Sequence, residues 1–225
     1  MAKYSRIEAA LAMKESGIVP VFYHPDPDVC MNVLKAVYEG GLRVFEFTNR
    51  GDGAHEIFTV LLRYANENLP GMILGVGSIV DAASTAQYIQ TGANFVVSPI
   101  LNPEMAKVCN RRKVLWSPGC GSASEIGYAE ELGAEVVKIF PAGEVGGPSF
   151  LKNLKGPMPW SNIMPSGGVE PTKDNLSKWF SAGAWCVGMG SNLFPKSELA
   201  AKDYAAIQNR VSGAVRLLKE VKAAL

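Results

Sequence analysis

Two short stretches hold residue types that are out of place inside a strand. In Val136-Val137-Lys138-Ile139-Phe140-Pro141, β-branched residues crowd together and a proline closes the run, which is the pattern of a short strand. Side chains alternate across a strand, so Val136, Lys138 and Phe140 share one face while Val137 and Ile139 share the other. Lysine is almost never fully buried without a partner or a purpose. Lys138 is therefore either a strand-end lysine whose ammonium snorkels to water or an amine held for reaction. Attack on a ketone needs the free amine, and apolar neighbours such as Val136 and Phe140 disfavour the ammonium. The second stretch runs from Leu42 to Arg50. There Glu46, Thr48 and Arg50 stand at i, i+2 and i+4 and are expected on one face. A Glu46–Arg50 ion pair would explain them, although buried pairs are a weak route to stability. The chemical reading is a carboxylate for proton transfer and an arginine for an anionic group.

Glycine-rich turns supply the second kind of signal. Gly75-Val76-Gly77-Ser78 ends one apolar run, and its glycines let backbone approach a ligand beside the Ser78 hydroxyl. A plain tight turn accounts for the same residues. Ser98-Pro99 and Ser117-Pro118-Gly119, taken singly, read as strand stops. Ser166-Gly167-Gly168 and Gly188-Met189-Gly190-Ser191 expose backbone N–H groups of the kind that form anion-binding concavities.

These residues need elements to hold them. A helix is predicted over Tyr4–Ser16, stopped by Gly17, and strands over Ile18–Tyr23, Leu42–Thr48, Met72–Val76, Phe95–Ser98 and Val114–Ser117. The lysine strand, Ile163–Pro165 and Trp185–Val187 continue the series, each strand being followed by a helical pattern. The last of these patterns is Ser197–Leu225. Eight strand–helix units in 225 residues predict parallel strands with helical crossovers at the scale of a (β/α)8 TIM barrel, with an extra N-terminal helix. A doubly wound open sheet meets the same periodicity. No linker, low-complexity tract or charge block marks a boundary, so residues 1–225 are expected to form a single domain. In such a barrel chemistry sits where the strands end, and the loops after strands seven and eight frequently build a phosphate site.

The totals exclude several function classes. A formal charge of +1 offers no net pull on nucleic acid or an acidic membrane surface. No segment reaches the roughly 20 apolar residues of a membrane span, and the N-terminus has no signal-peptide pattern. Cys30, Cys109, Cys120 and Cys186 form no CxxC pair, and with His24 and His55 unclustered no metal signature is present. Scattered cysteines in apolar surroundings suit a reduced cytoplasmic core.

Taken together, the residues resemble the 2-keto-3-deoxy-6-phosphogluconate (KDPG) and 4-hydroxy-2-oxoglutarate (KHG) aldolases, class I aldolases of (β/α)8 fold. The likeness rests on Glu46-x-Thr48-x-Arg50, Gly75-x-Gly77-Ser78, Ser98-Pro99, Pro118-Gly119, Lys138-x-Phe140-Pro141 and Ser166-Gly167-Gly168, and spans the chain from Val19 to Ser191. It implies that Lys138 forms a Schiff base with the substrate ketone, needing no separate cofactor and no metal, and that Glu46 moves the proton. It implies that Arg50, Ser78 and Thr48 serve the pyruvyl carboxylate, and that Ser166, Gly167, Gly168, Gly190 and Ser191 serve the phosphate. Pro99 and Phe140 would line the pocket. The implied substrate is a phosphorylated 2-keto-3-deoxy sugar acid, releasing pyruvate, and the implied assembly is a homotrimer. Ser78 and Ser166 stand where the family often carries threonine, while Asn49-Arg50-Gly51 and His24-Pro25-Asp26-Pro27 are less typical, which bears on the choice of substrate. A phosphosugar isomerase or synthase using Glu46 as base, and a non-catalytic phosphosugar-binding barrel, are the alternatives.

Overall fold

Capping residues set where most helices begin. The computed structural model describes residues 2–225. Ser5 opens α1 (Arg6–Ser16) with a capping box to Glu8, and Gly17, at φ +66°, closes it. Side-chain oxygens of Asp26, Asp81, Asn102 and Ser122 accept first-turn N–H groups of α2 (Pro27–Glu39), α4 (Ala82–Thr91), α5 (Pro103–Arg112) and α6 (Ala123–Glu131). Thr172 and Asp203 do the same for α8 (Lys173–Ser181) and α10 (Tyr204–Ala223). Gly53 and Gly146 lead into α3 (Ala54–Asn68) and α7 (Gly147–Leu154), and α9 is the short helix Lys196–Ala200. The helical stretch expected over Ser197–Leu225 is thus two helices. The break falls where Lys202 turns at φ +52° and Asp203 starts a new cap.

The strands are β1 (Ile18–Phe22), β2 (Val44–Thr48), β3 (Ile73–Gly77), β4 (Phe95–Val97) and β5 (Leu115–Ser117), then β6 (Gly119–Cys120), β7 (Val137–Ile139), β8 (Ile163–Pro165) and β9 (Val187–Met189). Every ladder is parallel. One sheet has the order β5-β4-β3-β2-β1-β9 and the other β6-β7-β8. The expected fifth strand is β5, and beyond Pro118, which has no N–H to give a ladder, a further short strand begins at Gly119 and pairs with β7 instead of β4. The sheet curls. β9, which pairs with β1, also touches β8 through a Ser166–Gly188 bridge, and the Trp185 N–H donates to the Ile163 carbonyl at 2.9 Å.

Alternation along the strands sorts the core into two layers. Ile18, Phe45, Phe47, Leu74, Val96, Trp116, Val137 and Ile139 pack outward beneath the helices. Val19, Val44, Ile73, Phe95, Val97, Leu115, Val136 and Met164 pack inward. The inward layer is covered by Ala9, Ala10 and Met13 of α1, against residues that begin their strands. The extra N-terminal helix thus seals one end of the interior and leaves the strand C-termini to the site. The four cysteines are free and buried, and among the described residues no helix is long and apolar enough to cross a membrane. Met13 is fully buried in this seal. Met13→Ala is expected to lower stability by about 2–5 kcal/mol, read as a shift of the urea midpoint; an unchanged midpoint would show that α1 does not hold the interior closed.

Candidate active site

The inward face changes character near the ends of β2 and β7. On β2 the apolar Val44 is followed two residues later by Glu46, 1% exposed. On β7 the apolar Val136 is followed by Lys138, 5% exposed. The Lys138 Nζ lies 3.7 Å from Glu46 Oε1. This is an ion-pair contact, too long for a good hydrogen bond. Neither carboxylate oxygen of Glu46 has a hydrogen-bond partner in the protein. Buried polar atoms are normally satisfied, so a buried carboxylate without a hydrogen bond, one of whose oxygens lies near an amine, is unusual outside a functional site. The Phe140 ring centroid is 5.2 Å from the same Nζ, so this ring, expected from the sequence to disfavour the ammonium, instead presents a face that attracts a cation.

Glycines make room for the pair. Gly77, opposite Thr48 in the β2–β3 register, leaves the space into which Glu46 extends: a Cβ there would stand 1.9 Å from Oε1. Gly75, opposite Glu46, makes room for the Phe95 ring. Gly119 pairs with Lys138, and its missing side chain lets the Pro99 backbone come close. Lys138 is anchored through its own N–H, which donates to the Pro118 carbonyl at 2.9 Å.

A cavity of about 250 Å³ opens beside this pair. Arg50, Phe140, Ser166, Gly167, Gly168, Gly190 and Ser191 all line it. Gly167 and Gly168 take φ of +93° and +75°, the left-handed region that favours glycine. Their carbonyls are held by the Gly143 N–H (3.2 Å) and Asn175 Nδ2 (3.1 Å), which fixes both peptide planes. Among the described residues Arg50 is the one charged group in the lining, so the cavity suits an anion.

Lys138, Glu46, Ser78, Thr48 and Pro99 lie outside the cavity lining, the first two joined to it through Phe140, which follows Lys138 on the chain, and Val21, which pairs with Glu46. Arg50 is not on the strand: β2 ends at Thr48, and the exposed Arg50 instead donates from Nε to Ser78 Oγ at 3.2 Å. Ser78 itself turns at φ +59°, an uncommon value for a non-glycine residue that occurs at ligand-holding turns. The buried Thr48 hydroxyl points to the Phe22 carbonyl at 3.4 Å, tying β2 to β1. Pro99 is half-buried against Gly119 and outside the cavity lining.

Sequence reasoning missed Val21, Val169, Gly188 and Asn192 as lining residues, and these four complete the cavity wall. Val21 was accessible as the residue two beyond the inward Val19. Asn192 directly follows the Gly190-Ser191 turn, and its Nδ2 donates to the Val169 carbonyl at 2.8 Å, joining the two glycine-rich loops. Gly188 is needed where it stands, because a Cβ there would meet Ser166 Oγ at 2.7 Å.

A family model described as "KDPG and KHG aldolase" matches residues 9–210. The chain belongs to the KDPG and KHG aldolase family. That makes it an aldehyde-lyase. It is 30% identical over 216 residues to the 2-dehydro-3-deoxy-phosphogluconate aldolase of Pseudoalteromonas atlantica, covering 96% of this chain and 97% of the relative. Among solved structures, the KDPG aldolase of Legionella pneumophila, with pyruvate captured at low pH as a covalent carbinolamine, superposes with a TM-score of 0.83. It is 23% identical, with 92% of this chain and 97% of that one covered. The aldolase of Zymomonas mobilis solved with 3-phosphoglycerate gives a TM-score of 0.80 at 26% identity, covering 94% and 96%.

In this aldolase chain the placement of Glu46 depends on the vacancy at Gly77. Gly77→Ala is expected to displace the carboxylate and lower kcat by about 100-fold, the scale of a misplacement of ~1 Å. A circular-dichroism melt checks that the fold survives. Unchanged turnover in folded Gly77→Ala protein would contradict the placement.

Proposed function

We propose that the chain is a Schiff-base aldolase cleaving 2-keto-3-deoxy-6-phosphogluconate, or a close analogue, to pyruvate and glyceraldehyde 3-phosphate. The observation that carries this is the buried pair: Lys138 Nζ and Glu46 Oε1 face each other at 3.7 Å with the carboxylate otherwise unpartnered. A barrel that only binds a phosphorylated ligand needs a cradle but not a buried amine beside a carboxylate, which is costly to keep. The proposed scaffold is one catalytic domain over residues 1–225 and a closed (β/α)8 barrel. The contacts of β9 with both β1 and β8 support closure.

The Lys138 amine adds to the C2 ketone and water leaves, forming an iminium. The positive nitrogen draws electrons from the C3–C4 bond as Glu46, directly or through a water, takes the C4 hydroxyl proton. The aldehyde departs and an enamine remains. Glu46 returns a proton to C3, and water releases pyruvate and the free lysine. The Phe140 face beside Nζ favours the cationic iminium. Arg50 with Ser78 holds the substrate carboxylate; Thr48 and Pro99 support the site from behind, Thr48 tying β2 to β1 and Pro99 packing on Gly119 beside Lys138. Backbone N–H groups of Gly167, Gly168, Gly190 and Ser191, with Ser166, hold the phosphate.

The galactonate epimer and the shorter 4-hydroxy-2-oxoglutarate admit the same steps. The cavity of about 250 Å³ between two glycine-rich loops favours a phosphorylated substrate. Borohydride reduction in the presence of pyruvate is expected to place a reduced pyruvyl adduct on Lys138, located by peptide mass spectrometry. An unmodified Lys138 in active protein would reject the mechanism. Comparative kcat/KM in a coupled pyruvate assay is expected to rank KDPG above 4-hydroxy-2-oxoglutarate; the reverse order would reject the phosphate assignment. A homotrimer belongs to the same proposal, and a monomer by sedimentation velocity would remove it.

A further inference from the structure

We propose that Tyr88 and Asn49 are positioning residues for Arg50, a reading that rests on Arg50 as the carboxylate-binding group. The β2 ladder ends at Thr48, so Arg50 receives no register from the sheet. The residue before it is held instead. The Asn49 N–H donates to the Gly77 carbonyl at 2.8 Å, and Asn49 Oδ1 accepts from the Tyr88 hydroxyl at 2.9 Å. Tyr88 is a buried residue of α4, 39 positions away in sequence, and its ring packs edge-on against Phe58 at a centroid distance of 5.2 Å.

The residue after Arg50 passes close to Tyr23: a Cβ on Gly51 would stand 2.1 Å from the Tyr23 hydroxyl oxygen, so the loop runs against that phenol without a side chain between. Arg50 thus follows a residue fixed at both backbone and side chain, and its Nε meets Ser78 Oγ at 3.2 Å. Burial pushes the Tyr88 phenol up to about 12, with a smaller contribution from Tyr23, so its hydroxyl stays a donor at neutral pH. The Tyr88–Asn49 bond does not touch the reacting atoms. Its effect is on how the substrate carboxylate is held, not on the carbon–carbon cleavage step.

Steady-state kinetics of Tyr88→Phe and Asn49→Ala, which cut the same bond from opposite ends, tests this. Each is expected to raise KM for the keto acid by about 5- to 10-fold with kcat within about 2-fold of the parent. The double variant is expected to be no worse than the weaker single one, because residues in one hydrogen bond are not additive. Should Tyr88→Phe fail to fold, Asn49→Ala reads the same bond. A lowered melting temperature with unchanged KM in both variants would overturn the proposal and leave a purely structural contact. Arg50→Gln separates the two levels of the argument. If it raises KM while the other variants do not, the positioning role alone is overturned. If Arg50→Gln also leaves KM unchanged, the carboxylate assignment falls and the positioning role with it.

Discussion

An amine and a carboxylate are buried 3.7 Å apart on the inner face of a parallel sheet, and much of the structure is arranged to make that tolerable. Charges taken from water are costly unless paired and hydrogen-bonded. Here they are paired but not hydrogen-bonded, since both Glu46 oxygens lack partners in the protein. In a core built for stability alone the position would be better filled by an apolar residue, as it is one step earlier at Val44 and Val136. The cost is met by surroundings that hold rigid: fully packed outward faces under the helices, and an interior sealed from below by Ala9, Ala10 and Met13.

Absent side chains matter as much as present ones. Gly77 clears the volume for the Glu46 carboxylate, Gly75 for the Phe95 ring beside it, and Gly188 for the Ser166 hydroxyl. The same economy shapes the cavity next to the pair, where Gly167 and Gly168 take backbone angles open to few other residues. The glycine runs thus have two distinct physical jobs. Some admit neighbouring side chains, and others let the backbone turn through left-handed angles at the cavity wall.

The sequence made the inward faces legible because strand alternation has a period of two, and Val136, Lys138, Val44 and Glu46 follow it. It made the cavity legible because both glycine runs follow strands in a regular βα alternation. Arg50 was less legible. Extending the alternation to i+4 puts it on the inner face, whereas the strand stops two residues earlier and Ser78 sets the guanidinium. Ser117-Pro118 does stop β5, but the two-residue β6 that follows was not legible, because a missing N–H interrupts a ladder without ending the extended chain. The Tyr88–Asn49 bond joins residues 39 apart through tertiary packing, and no local pattern encodes such a contact.

The division of labour between amine and carboxylate is the central claim, and proton exchange at the methyl group of pyruvate tests it most directly. In the proposed mechanism, forming the imine needs Lys138, whereas removing a methyl proton from it needs Glu46. In deuterated buffer, Glu46→Gln protein is expected to retain borohydride trapping of pyruvate on Lys138 while the exchange rate, followed by proton NMR, falls by about 10²–10⁴-fold. Exchange at the parental rate in trapped-competent Glu46→Gln protein would contradict the account, since another group would then be moving the proton.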